Sequence, residues 1–402
     1  MSLSAYTNQL LVRILPQALG LGVGVALKRL AGLEAFGLYS LAIALGSVTF
    51  GVASSAIDLH ALRSTSARLF YPALKSKLLI WLLLAPLAAF GSLRLGVPLW
   101  GGLTIYCGLL LLHLNQLNVV FFRLENTDAR AIAPSSLPPL FFLLALLIIG
   151  PKSFSAIALL FLAAWSISIC FLFKPNFFSG LAASKWSDMT AFIRSSVPLG
   201  ISIIFTQLLV NVDLFMLNYY YGSAESGLYR LAVSFSAVLM PAIGAFSYVY
   251  LSQIGDSAKR GDFPSVESSL KSQLRLNILL GSIFFSGIAI LLPYLMPFLY
   301  GEDTYAGLPA AILLCAGAVF NALGTVFSYT LLAFNRDFVT IVILAIGSAI
   351  NIMANALIIP RFGIEGAAWV SLLTQIFVFA ANAFIVFRLL KWSTRPSAVH
   401  HT

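Results

Sequence analysis

Apolar residues run through this chain in long blocks divided by short polar or basic connections, and about 20 such residues make one bilayer-crossing helix. Reading each block between its flanking charges, with Pro and Gly marking the ends, predicts helices near 9–28, 36–58, 76–93, 98–121, 132–150 and 154–173. After a polar connection, KPNFFSGLAASKWSD at 174–188, six more follow near 192–220, 227–252, 273–299, 305–331, 338–359 and 364–390. Positions 276–301 and 304–335 contain no charged residue, so the spans there are the plainest. The first carries Arg13 and the third is short. The longest connection, 253–273, is charged and interrupted by Pro264, which reads as a solvated interfacial segment.

Composition agrees with this pattern. Sixty per cent of the residues are hydrophobic and 9% charged, against roughly a quarter charged in a soluble domain. A water-soluble fold is excluded, and twelve spans leave no room for a soluble domain of useful size. The net charge of +10 would point to nucleic acid in a soluble chain. Its distribution points elsewhere. With the N-terminus inside, seventeen Lys and Arg fall in cytoplasmic segments, and five fall outside: Lys28, Arg29, Arg94, Lys152 and Arg361. That asymmetry places both termini in the cytoplasm and removes the case for a nucleic-acid partner. Cys107, Cys170 and Cys315 are far apart in apolar stretches and read as buried structural thiols. No removable signal peptide is expected, because the first apolar run contains Arg13 and no small-x-small cleavage site.

A repeat appears at an offset of 190 residues. Gly32-LEAF-Gly37-Leu38-Tyr39-Ser-Leu41-Ala42 matches Gly222-SAES-Gly227-Leu228-Tyr229-Arg-Leu231-Ala232, each between the first and second helix of its half. The halves therefore share one orientation and are related by an axis along the membrane normal, as in rocking transporters with a site between the halves. The expected fold is all-α and polytopic: twelve transmembrane helices as two parallel-repeat six-helix bundles, 1–180 and 181–402, around a central cavity. Gly32, Gly37, Gly222 and Gly227 are the expected turn or hinge residues. Gly37 and Gly227 should need either positive φ or close helix approach.

Three segments carry a family resemblance: R-I-L-P with G-L-E-A-F-G-L-Y-S-L-A near the N-terminus, VPLGISIIFTQLLVNVDLFMLNYYYG in helix 7, and IGSAINIMANALIIPRFGIEGAA across helices 11 and 12. They resemble the bacterial polysaccharide-transporter, or O-antigen flippase (Wzx-like), family of the multidrug/oligosaccharidyl-lipid/polysaccharide exporter superfamily. The resemblance covers nearly the whole chain, though its residues are mostly turn and packing residues. It implies a cargo of undecaprenyl-diphosphate-linked oligosaccharide, moved from the inner to the outer leaflet of the bacterial inner membrane in O-antigen and lipopolysaccharide biosynthesis. Membrane lipids, a polysaccharide polymerase and a chain-length regulator are the implied partners. The two additional helices usual in lipid II flippases are absent from the pattern.

Ionisable residues inside spans are costly in hydrocarbon and usually face protein or water. Asp213 is the clearest, with Ser202 and Thr206 on its helix face. Two readings fit it: a proton- or cation-responsive carboxylate, or a carboxylate paired with Arg230 or hydrogen-bonded to neighbours. Arg13, followed by Gln17 at i+4 with Gly20 and Gly24 along the same stripe, either clamps a diphosphate through its planar fork or snorkels to the headgroups. Arg230 either meets the diphosphate or anchors at the outer surface, and Lys28 and Arg29 read as interfacial. Polar stripes mark helix 7 (Gln207, Asn211, Asn218), helix 10 (Asn321, Thr325, Ser328), helix 11 (Ser348, Asn351, Asn355) and helix 12 (Ser371, Gln375, Asn382). They are expected to line a hydrated cavity, with interhelical bonding as the competing account. From these come the substrate-binding candidates Arg13, Gln17, Arg230, Gln207, Asn211, Asn351 and Asn355. Helix 4 adds His113, Asn115, Gln116 and Asn118, with His113 expected as a hydrogen-bonded core residue.

No P-loop, H-E-x-x-H or G-x-S-x-G motif occurs, so neither ATP nor catalysis is expected in this chain, and no cofactor or metal. A gradient of H+ or Na+ is the candidate drive. Two competing functions are a multidrug-extruder-like cation antiporter, which should prefer an acidic cavity, and an integral-membrane polysaccharide polymerase or acyltransferase, which should offer a large outer loop or clustered His and Asp.

Overall fold

The computed structural model describes residues 3–64, 69–124, 128–172, 184–238, 250, 254–258 and 260–393. Side chains near the ends of some of these stretches, Arg13 among them, lie outside that description, as does the expected bundle boundary at 180/181. Among the described residues all regular structure is helical, and eight helices are long and apolar enough to cross a membrane. Two of the eight are double. Leu3–Gly46 is broken at Gly32 (φ 85°), and Asp337–Ser393 at Gly363 (φ 53°). The spans are then α1 (3–31), α2 (33–64, containing a π-helical turn at Ser47–Gly51), α3 (Phe70–Arg94), α4 (Leu99–Leu124), α5 (Asp128–Ile149) and α6 (Phe154–Ser166). The second set is α7 (Trp186–Tyr221), α8 (Ser223–Ser236), α9 (Phe263–Tyr300), α10 (Leu308–Ala333), α11 (337–362) and α12 (364–393).

The described residues thus form twelve helices in two repeats, the architecture of a multi-pass membrane protein. Glycine sets the breaks, because only a residue without Cβ takes positive φ at no steric cost. Gly32 and its repeat partner Gly222 (φ 89°) each reverse the chain in one residue. No loop is left there, although the apolar pattern had left a gap of several residues. Helix starts are equally local. Ser153 caps α6 by accepting from the Ala156 N–H (3.3 Å), and Asp262 caps α9 by accepting from the Ser265 N–H (3.1 Å). That second cap corrects the reading of 253–273. Pro264 sits in the first turn of α9, where its missing N–H costs nothing, so it starts a helix and does not interrupt a loop. Prolines inside spans are compensated too. Pro138 cannot donate to the Pro134 carbonyl, and Asn115 of α4 supplies that hydrogen bond instead.

The elements of the two repeats, α1–α6 and α7–α12, meet along α1 and α2 against α8 and along α2 and α3 against α7. At the end of the molecule holding the Gly32 and Gly222 turns, α2 and α8 nearly touch. A Cβ on Gly37 would lie 1.8 Å from the Ser223 carbonyl oxygen, and one on Gly227 would lie 2.5 Å from the Leu33 carbonyl oxygen. Leu33 and Ser223 are themselves repeat partners, so the contact is symmetric. Of the two alternatives for Gly37 and Gly227, close approach holds and positive φ does not. Among the cysteines Cys315 is buried and Cys107 half-buried, but Cys170 is exposed, against the expectation of three buried thiols. It lies in Ile169–Leu172, a short helical turn beyond α6.

Candidate functional site: two cavities flanking α8

Successive residues of a helix point about 100° apart, and on α8 this sends Tyr229 and Arg230 into different cavities. Arg230 lines a cavity of about 360 Å3 in the seam between the halves. Gln17, Gly20 and Gly24 of α1, Phe36, Tyr39 and Ser40 of α2, Ser135 and Phe142 of α5, Trp165 of α6, and Ser234 and Tyr300 from the second half share its wall. Arg230 is the one charged residue among the described residues lining it. Apart from the Gln17 amide, the rest is aromatic, aliphatic or hydroxyl-bearing. Tyr39 packs edge-on against Phe161 at 5.9 Å between ring centres, and Phe235 does the same against Tyr300 at 5.8 Å, which fixes the wall. The backbone of α1 comes close because Gly20 and Gly24 have no side chains. A guanidinium in so apolar a chamber offers up to five N–H donors and no acceptor, which selects for an anion with paired oxygens.

The second cavity, about 240 Å3, lies within the α7–α12 set and is lined by Asp213, Tyr229, Asn321, Ser371 and Gln375. Asp213 is 2% exposed and held on three sides. Tyr229 donates to Oδ2 at 2.6 Å, Ser371 donates to the same oxygen, and Asn355 donates to Oδ1 at 2.9 Å. The Asn355 amide also reaches the Asn351 side-chain oxygen at 3.1 Å, which continues the network along α11. A buried carboxylate is tolerable only with such donors around it.

These positions sort the sequence candidates. Gln17 and Arg230 come together in the seam cavity. Asn351 and Asn355 join Asp213 instead. Gln207 and Asn211 bond each other, Asn211 donating to the Gln207 Oε1 at 2.9 Å, and line neither cavity. Arg13 lies in α1, with its side chain outside the described residues. Pairing of Asp213 with Arg230 is not seen: the hydroxyl and amide donors occupy the carboxylate, and the two side chains line different cavities. The polar stripes divide. Asn321, Ser371 and Gln375 face the second cavity, whereas Thr325, Ser328 and Asn382 bond carbonyls of their own helices at 2.9, 3.2 and 2.8 Å. His113 is buried and bonds Gln116 at 2.8 Å, as expected.

Sequence reasoning missed one buried charge pair. Lys77, counted among the solvated cytoplasmic basic residues, is fully buried on α3, 2.7 Å from the Asp58 carboxylate of α2, and donates to the His113 carbonyl at 2.7 Å. The signal available was Asp58 inside an otherwise apolar second span. Its partner is not visible in the sequence because Lys77 comes from a different helix, near the start of the expected span 76–93, where a basic residue reads as cytoplasmic.

No family model matches the chain, and no curated protein matches it. Solved structures do. An inward-facing multidrug resistance MATE family transporter of the MOP superfamily superposes with a TM-score of 0.75 over 97% of this chain and 100% of its own, at 14% identity. The lipid II flippase MurJ in an inward closed conformation gives 0.73 over 94% and 86%, at 18% identity. An outward-facing MATE transporter gives 0.67 over 98% and 96%, at 12% identity. These neighbours are transporters and a flippase, not enzymes, and the chain has the fold of the MATE and MurJ transporters of the MOP superfamily.

Proposed function

We propose that the chain is a flippase that moves a lipid-linked oligosaccharide, carried on an isoprenoid diphosphate, from the cytoplasmic to the periplasmic leaflet of the bacterial inner membrane. The observation that carries this reading is the seam cavity with one described cation, Arg230, in a wall of aromatic and hydroxyl groups. A diphosphate must leave water during transfer, and an unpaired buried charge is prohibitive unless a fixed cation meets it. Aromatic faces and hydroxyls such as Trp165 and Ser234 suit sugar rings, which are apolar on their faces and polar at their edges. The cavity lies between the halves, so the isoprenoid tail stays in lipid while the headgroup occupies the seam. Both termini are cytoplasmic in this reading, with the Gly32/Gly222 end outside. The halves rock about their seams to expose the cavity to each side in turn, and Asp213 binds the H+ or Na+ that drives the cycle. A polymerase and a chain-length regulator would consume the product.

A second reading has its own observation. The Asp213 cavity contains a buried carboxylate as its one charged lining residue among those described, which would suit exchange of an ion for a cationic compound. Deletion of the gene separates the two. Under the flippase reading a lipid-linked oligosaccharide accumulates on the cytoplasmic leaflet, wild-type protein clears it, and Arg230→Ala does not. If no such intermediate accumulates while sensitivity to cationic drugs rises, the antiporter reading stands instead.

A further inference from the structure

The turn-end contact between the halves includes two cations of the last turn of α1. Arg29 donates to the Leu299 carbonyl through Nε at 2.7 Å and to the Phe298 carbonyl through Nη2. Lys28, 8% exposed, donates to the Tyr300 carbonyl and pairs with Asp303. Every acceptor belongs to the other half. They are also a particular set. The last four carbonyls of α9 have no partner within their helix; Gly301 N–H takes that of Pro297 at 2.8 Å, and Lys28 and Arg29 take the remaining three. The negative end of a helix dipole and a carboxylate thus hold two adjacent cations from across the seam. Tyr300 joins this contact to the cargo chamber, because its carbonyl receives Lys28 while its ring lines the Arg230 cavity beside Gly24.

We propose that Lys28 and Arg29 form a second anion site, masked here as a latch on the C-terminus of α9, and that a lipid diphosphate arriving from Arg230 displaces these contacts and opens the turn end. When the halves part, both cations lose their acceptors together and face the widened seam. An anion that binds them only in the open form shifts the population toward opening by its difference in affinity between the two forms. The cargo then unlocks its own exit. The anion-exchange step rests on the cargo reading above. The latch itself does not.

The test uses the full chain in phosphatidylcholine nanodiscs, with Cys107, Cys170 and Cys315 replaced by serine. Spin labels sit at Lys152→Cys and Glu365→Cys, exposed turn-end positions in opposite halves. The otherwise wild-type chain should give one short distance population, retained by Lys28→Arg. Lys28→Met with Arg29→Gln should add a longer one. Farnesyl diphosphate should lengthen the wild-type distance while farnesol does not, and the double variant should respond no further. Binding of the probe is read separately, as a tryptophan fluorescence change lost in Arg230→Ala. A double variant with the wild-type distribution overturns the latch. Normal probe binding without any change in distance overturns the anion site. Absence of probe binding in the wild type overturns the anion-exchange step and counts against the Arg230 cavity, while the variant distances still decide the latch.

Discussion

Arg230 and Asp213 differ in what surrounds them, and this sets what their substitution should do. Arg230 has no carboxylate partner among the described residues, so its alanine variant leaves no orphaned charge and should reach the membrane at normal abundance. Transport should nevertheless be lost, and Arg230→Lys should recover only part of it, since an ammonium cannot grip two phosphate oxygens in the plane of a guanidinium. Surface polysaccharide measured beside membrane abundance checks both. Asp213 is the reverse case. Asp213→Asn keeps the shape but removes the ionisable oxygen that receives Tyr229 and Ser371, so the dependence of transport on pH or Na+ should shift while cargo binding persists. An unchanged dependence would remove Asp213 from coupling. The charge of these two residues was legible in the sequence because each stands alone in an apolar span. Their partners were not, because Asp213 draws on Tyr229, Asn355 and Ser371 from three different helices.

Among the elements, the α2–α8 crossing and the α2–α3 ion pair carry the sharpest expectations. Gly37→Ala and Gly227→Ala each place a methyl against a backbone carbonyl of the opposite half. Overpacking of this kind costs about 1–3 kcal/mol, and here it penalises only the conformation in which α2 and α8 touch. Both variants should therefore favour turn-end opening, whereas Gly20→Ala, with nothing within 4 Å of its new methyl, should not. Cysteine accessibility at the turn end measures this. Lys77→Met leaves Asp58 without its cation, a loss of about 3–5 kcal/mol when one partner of a buried pair goes. Lys77→Met with Asp58→Leu should be milder, as thermal unfolding in detergent would show. At the start of α9, the hydrogen bond from Ser265 holds the Asp262 carboxyl below its ordinary range. Its contribution is present above the ordinary carboxylate value and lost as pH falls through the lowered one, so the protection of amides in that first turn, taken relative to their intrinsic exchange rates at each pH, should fall in acid. The twelve spans were legible from apolar block length. Their ends were not: α3 starts at Phe70 and not near 76, which carries Lys77 about two turns into the helix, where it is buried, and Pro264 looks like an interruption until Asp262 is seen to cap the helix it begins.

At the scale of the whole molecule, the repeat read from eleven residues predicts the arrangement of four hundred, since Gly32 and Gly222 make the equivalent turns and Gly37 and Gly227 the symmetric contact. The proposed orientation rests on charge: a single cysteine at Glu302 should label from outside, and a reporter fused after Thr402 should be cytoplasmic. Labelling in the opposite sense at both would invert the proposed direction of transport. What the pattern of residues did not disclose is that Arg230 and Asp213 line separate cavities flanking α8, the first in the seam between the halves and the second within α7–α12. That division is the center of the account, because it assigns cargo to the seam and the driving ion to the second half. The most direct test is reconstitution of purified wild-type, Arg230→Ala and Asp213→Asn proteins in liposomes loaded with a short-chain isoprenoid diphosphate oligosaccharide, with lectin access reporting the outer leaflet. The expected result is rapid equilibration between leaflets with the wild type, none above protein-free liposomes with Arg230→Ala, and gradient-insensitive equilibration with Asp213→Asn. Equal rates for wild type and Arg230→Ala would contradict it.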